Sequence, residues 1–191
     1  MRRAFWLRHG PTHAKVITGW RDVPADLSDH AQIARLDAYL PAQAVMISSD
    51  LIRAKATADA LSPRLRLHYE PDLREFHFGE WEGQGFDAVS QSDPELSRAF
   101  WEGGEDICPP NGESWAMVMA RVSRASDRVL AQHPDQDVIF TCHFGAILTQ
   151  IARHSGLSAY QAYAHTIPTL SVTEFHQREG KWSVVRIGYC P

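Results

Sequence analysis

Three short apolar runs in this 191-residue chain each end on residues that a strand does not favour. AFWL (Ala4–Leu7) stops at Arg8 and His9. VMIS (Val45–Ser48) stops at Ser49 and Asp50, with Arg53 one helical turn further on. VIFT (Val138–Thr141) stops at Cys142 and His143, followed by Phe144 and Gly145. Continuous apolar runs of this kind suit strands buried on both faces, as in parallel sheets. Helical patterns lie between them. Ser28–Leu40 has Ser28 or Asp29 as N-cap and Ile33, Leu36 and Leu40 at helical spacing; Leu51–Leu61 is closed by Pro63. Alternating strands and helices predict an α/β sandwich with a largely parallel sheet. Ligands of such sheets sit beyond the carboxyl ends of the strands. Two arginines and two histidines from distant segments are therefore expected to meet at one sheet edge.

The rest of the chain fits the same plan. LRLHYE (Leu65–Glu70) alternates as a strand does. From Pro71 to Gly112 the pattern weakens under Gly79, Gly83, Gly85, Gly103, Gly104, Pro109 and Pro110, with a helix predicted around Phe86–Trp101. Glu113–Gln132 reads as a long helix, DVIFTC (Asp137–Cys142) as a central strand and Ala146–His154 as a helix. LSVTEF and WSVVRI read as a closing hairpin around Glu179 and Gly180. One domain spanning residues 1–191 is the expectation from length. A net charge of −4 gives no basic footprint for nucleic acid, so anion affinity has to come from a few local groups. No apolar run is long enough for a bilayer, and AFWL is too short for a signal-peptide core. The three cysteines, Cys108, Cys142 and Cys190, are odd in number and widely spaced, without disulfide or zinc spacing; a reducing cytosol is the simplest setting.

A phosphate suits the expected cluster. Guanidinium groups present forked donors that match phosphoryl oxygens in pairs. A helix opening after His143 adds backbone N–H groups and partial positive charge, and Gly10 and Gly145 allow close backbone approach. Neutral imidazole is a competent nucleophile near neutral pH. Two neighbouring arginines disfavour imidazolium and keep the ring neutral. Attack on phosphorus gives a phosphohistidine, with the equatorial charge held by the arginines and the second histidine. A leaving alkoxide needs a proton, and Glu75 in LREFHFGEWEG is the candidate donor. The same group then takes a proton from the attacking water. No metal or other cofactor is required, because arginines neutralise the charge.

The blocks LRHGPT, SSDLIRAKATA, LREFHFGEWEG, PPNGESW and VIFTCHFGAI stand in an order that resembles the histidine phosphatase superfamily, also called phosphoglycerate mutase-like. The resemblance runs from Arg8 to about Ile151. It implies a three-layer α/β/α sandwich with a largely parallel central sheet and a small helical cap from roughly residues 71–112. It implies His9 as phosphate acceptor, Arg8, Arg53 and His143 as the rest of the phosphate pocket, Glu75 as proton donor, and Thr12 at the pocket or its entrance. The chain departs from the family at Pro11, where Glu or Gln is frequent, at Ala14 and Lys15, where mutases carry an aromatic residue followed by Asn, and at Asn111, where glycine is frequent.

Plainer readings stand beside these. His9 alone fits a loop histidine bonded to the backbone, His143 a helix N-cap, and Arg53 a surface ion pair with Asp50 or Asp59. Glu80 and Glu82 compete with Glu75. His9 and His13 have the spacing of a helical metal pair, which Gly10 and Pro11 oppose. Trp81, Trp101 and Trp115 fit packing better than a substrate pocket, and Cys142 fits a buried strand end. The expected activity is that of a metal-independent phosphoric monoester hydrolase of the histidine acid phosphatase type, acting on a small phosphorylated substrate. A phosphoglycerate mutase using the same phosphohistidine is the alternative, and a non-catalytic phosphate-binding or interaction module ranks last. The pattern specifies no oligomeric state.

Overall fold

A computed structural model describes every residue from Met1 to Pro191. Its centre is a six-stranded sheet in the order β3-β2-β4-β1-β5-β6. The strands are β1 (Arg2–Arg8), β2 (Val45–Ser48), β3 (Leu65–Tyr69), β4 (Val138–Cys142), β5 (Val172–Arg178) and β6 (Lys181–Tyr189). β3, β2, β4 and β1 pair in parallel, and β5 and β6 add an antiparallel ribbon at one edge. β4 lies inside the sheet, and all five of its residues are buried, as its unbroken apolar sequence requires.

Alternation along β1 separates two cores. Ala4 and Trp6 join a cluster of 28 buried residues with Val118, Val122, Phe140 and Ile147. Phe5 and Leu7 join one of 12 on the opposite face, with Ile33, Leu36 and Met46. The first core is covered by α5 (Trp115–Gln132) and α6 (Phe144–Ser155). The second is covered by α1 (His30–Tyr39), and Ala58 of α2 (Ile52–Asp59) joins it. The result is the three-layer sandwich. No helix is long and apolar enough to cross a membrane.

Local chemistry accounts for the boundaries. The Asp29 carboxylate accepts the Gln32 N–H at 2.9 Å and opens α1. Gly156 ends α6 in the left-handed region at φ 68°. Glu179 and Gly180 both have positive φ (50° and 79°), the requirement for a two-residue turn matched to strand twist. Asn111 sits at φ 60°, a conformation asparagine tolerates.

Two sequence expectations change. The single helix expected around Phe86–Trp101 is two, α3 (Phe86–Ser92) and α4 (Pro94–Trp101). Pro94 has no N–H to continue the ladder and drives Asp93 to φ −131°, ψ 61°. A short helix, α7 (Ala159–Tyr163), was not anticipated, although its Ser158–Gln161 capping box is written in the sequence. The glycine- and proline-rich segment also holds two 3₁₀ turns, Pro71–Leu73 and Gly79–Trp81.

Phe140 ties the first core together. It is fully buried, pairs with Trp6 across β4 and β1, and stacks on that indole at 4.4 Å between centroids. Phe140→Ala is expected to destabilise the fold by about 3–5 kcal/mol, read as a lower urea midpoint at unchanged slope.

Candidate active site

β2, β4 and β1 are parallel neighbours, so their carboxyl ends lie side by side. The hydrogen-bond ladder continues past the strands: the His9 N–H reaches the Cys142 carbonyl at 3.0 Å, and the Ser49 N–H reaches that of Thr141 at 2.9 Å. His9 and His143 are thereby set with ring centroids 5.1 Å apart.

His9 is held in one tautomer. Its Nδ1–H donates to the Gly10 carbonyl at 2.7 Å, and its Nε2 accepts the Arg53 Nε–H at 3.2 Å. Nε2 therefore carries the lone pair. The ring's pKa falls to about 3, first because it is buried and then because Arg53 lies beside it. The sequence pointed to the arginines as the cause; burial is the larger one. The reading of His9 as a mere backbone-bonded loop residue captures only its Nδ1.

Arg53 is 1% exposed, and its guanidinium hydrogen-bonds carbonyls and an imidazole rather than a carboxylate. Its two terminal nitrogens donate to the Arg21 carbonyl at 2.9 Å and the Gly19 carbonyl at 2.6 Å. Asp50 is engaged by Arg74 and Asp59 by Arg66, so the surface-pair reading of Arg53 fails. Arg8 donates to the Ile167 carbonyl at 2.5 Å and lies over the Phe144 ring, while its buried Nε has no partner. His143 occupies the N-cap position of α6 without capping it. Its Nε2 is 2.9 Å from the Ser49 hydroxyl, whose oxygen also lies 3.4 Å from the Leu51 N–H. The Ser49 hydroxyl has no other acceptor, so its proton goes to Nε2, and the proton of the neutral ring sits on the unpartnered Nδ1. Two buried donors without acceptors are costly unless an anion meets them.

Glu75 arrives from the other side. Its carboxylate accepts the Phe76 N–H at 3.0 Å and the Gly145 N–H at 3.0 and 3.1 Å. This corrects two expectations. The amide of Gly145 at the start of α6 is bonded to Glu75 rather than turned toward an anion. Gly145 makes room for that carboxylate: a Cβ there would lie 2.4 Å from Glu75 Oε1 and from the Phe76 ring. Gly10 likewise accommodates neighbouring protein atoms, since a Cβ would meet Leu27 at 2.6 Å. The competing acids are used elsewhere. Glu82 accepts the N–H groups of Gly19, Trp20 and Phe78, and Glu80 accepts from the Asn111 side chain.

A supporting layer escaped the sequence reading. Arg121 of α5 donates to the carbonyls of Asp72, Arg74 and Glu75 and forks onto Glu113 with both contacts at 2.8 Å. The Trp20 indole N–H donates to the same Glu75 carbonyl at 2.8 Å. The signal was there to be read, because Arg121 occupies a helix position that periodicity assigns to the core beside Val118, Val122 and Ala125.

Arg8, His9, Thr12, Arg53 and Glu75 all line one cavity of about 350 Å³. Trp101 lines it too, against expectation, whereas Trp81 and Trp115 are buried in the core. His13 turns away to pair with Asp26 and forms no metal pair with His9. No three His, Cys, Asp or Glu groups lie together in a metal-ligand arrangement. Cys142 is fully buried, and burial pushes its thiol pKa up.

A family model described as the histidine phosphatase superfamily (branch 1) matches residues 5–189. The chain belongs to that superfamily. Among curated relatives, a bifunctional protein of Mycobacterium tuberculosis is 33% identical over 162 residues, 83% of this chain. The chain spans only 42% of that relative's length. The adenosylcobalamin/alpha-ribazole phosphatase of Salmonella typhimurium is 29% identical over 193 residues, covering 97% of this chain and 90% of that protein. Among solved structures, Bacillus stearothermophilus YhfR superposes with a TM-score of 0.89 at 25% identity, covering 98% and 97% of the two chains.

The neutral buried His9 has a consequence for folding. An unfolded chain takes up a proton near pH 6.5 that the folded ring refuses until about pH 3. In that window the unfolded state binds more protons, so stability falls as pH is lowered. Melting temperature is expected to drop between pH 6.5 and 3 more steeply in the wild type than in His9→Asn, measured by calorimetry along a pH series.

Proposed function

We propose that this histidine phosphatase superfamily member is a metal-independent phosphomonoesterase that works through a phosphohistidine on His9. The observation that carries the reading is the His9 Nε2 lone pair, held unprotonated beside Arg53 and near the unpartnered Arg8 and His143 donors. An incoming phosphoryl oxygen takes over the Arg53 N–H and frees the lone pair. Nε2 then attacks phosphorus and the P–O bond to the alcohol breaks. The leaving oxygen takes a proton from the Glu75 carboxyl. Water next attacks the phosphohistidine, the Glu75 carboxylate removes its proton, the P–N bond breaks, and orthophosphate leaves with His9 neutral again. Arg8, Arg53 and His143 hold the equatorial oxygens in both steps.

The relative named as a phosphatase supports hydrolysis over transfer. So does the cavity, which is open to solvent; a mutase has to keep water from its phosphoenzyme. The single domain carries its cap in residues 71–112, whose Phe86 and Trp101 face the cavity. Three free cysteines fit a reducing cytosol.

His9→Ala is expected to abolish p-nitrophenyl phosphate turnover while the variant still melts in a single cooperative transition. Rapid quench of the wild type should yield an acid-labile phosphopeptide containing His9. Unchanged turnover in the variant sinks the mechanism. Glu75→Gln is expected to lower kcat on alkyl phosphates by about 10²–10⁴-fold. The loss on p-nitrophenyl phosphate should be smaller, because its leaving group needs no proton. Efficient conversion of 3-phosphoglycerate to its isomer would instead establish the mutase.

A further inference from the structure

The same cavity states what kind of alcohol the phosphate is attached to. Resting on the phosphomonoesterase reading, we propose that the substrate is a small monophosphate ester of a flat, apolar, uncharged alcohol. An aromatic group fits best, with no carboxylate and no second phosphate.

Charge makes the first half of the case. Besides His9, the charged side chains on the cavity wall are Arg8, Arg53 and Glu75. One phosphoryl group uses both arginines. The neighbouring cations are engaged elsewhere: Arg74 by Asp50 and Arg121 by Glu113. A carboxylate or second phosphate on the substrate therefore meets no free cation on the wall.

The apolar wall makes the second half. Ala14, Val16, Phe78, Phe86 and Trp101 face the cavity. Phe86 is 53% exposed and Trp101 only half-buried, so core packing does not use their rings fully. They come from opposite ends of the α3–α4 pair and meet at the rim with centroids 5.7 Å apart and planes at 52°. Tilted rings of this kind offer faces and edges to a third ring. Hydroxyl recognition is sparse. Thr12 and Thr18 are the hydroxyl side chains on that wall, and Thr18 already donates to the Val16 carbonyl at 3.0 Å. A polyhydroxylated sugar would find few side-chain partners there. The volume, about 350 Å³, is at the small end for a ligand site.

Three esters with alkoxide leaving groups separate the alternatives: 2-phenylethyl phosphate, glycerol 3-phosphate and 3-phosphoglycerate. The expected order of kcat/KM falls in that sequence, with about tenfold or more between the first two. Trp101→Ala and Phe86→Ser should each narrow that first ratio, and calorimetry on His9→Ala should show the aromatic ester binding tightest. Equal or better hydrolysis of 3-phosphoglycerate overturns the inference and leaves the hydrolase standing. Tightest binding of the aromatic ester without turnover of any ester overturns the hydrolase and supports the pocket's selectivity. Neither turnover nor preference overturns both.

Discussion

Arg53 is a buried cation that touches carbonyls and an imidazole but no carboxylate, and the site is built around that contact set. A lone charge inside a protein is costly unless its donors are satisfied. Here Gly19 and Arg21 supply carbonyls, and the third contact is the imidazole of His9. Main-chain oxygens lower the cost of burial without cancelling the positive charge. The same guanidinium also disfavours a proton on His9, adding to burial. One residue on the first turn of α2 thus both disfavours a proton on His9 and adds positive charge to the cavity wall.

Around this centre a second layer fixes geometry. Arg121 gathers one short stretch of main chain through the carbonyls of Asp72, Arg74 and Glu75, and Glu113 anchors it. Glu82 does the corresponding work for the loop whose Gly19 carbonyl receives Arg53. Removing one partner of a buried ion pair typically costs about 3–5 kcal/mol, so such residues are as constrained as those that touch the reacting atoms. Glu75 in turn closes the circle, because its carboxylate accepts the N–H of Gly145, the second residue of α6, the helix that follows His143.

The parts legible in the sequence are those set by local pattern. Parallel burial of AFWL, VMIS and VIFT is enough to put Arg8, His9, Ser49 and His143 at one sheet edge. Asp29 as a cap, Glu179–Gly180 as a turn and Asn111 as a left-handed residue follow from intrinsic preferences of single side chains. What the sequence hid depends on three-dimensional partners. That Gly145 yields space to Glu75 is invisible without the approach of the Pro71–Leu73 segment. Whether Trp101 packs or lines a cavity depends on how α4 is turned after Pro94 breaks the helix. Burial outweighed charge at His9 because depth below the surface cannot be counted from neighbours in the chain.

The break at Pro94 has an evolutionary implication. Nucleophile and guanidinium groups are anchored at strand ends and on α2, whereas the aromatic rim hangs on two short helices outside the sheet. Substitutions at the rim change what is admitted without unsettling the groups that do the chemistry. A scaffold divided in this way can acquire new metabolic roles by drift at a few positions, and descendants can diverge in diet long before they diverge in mechanism.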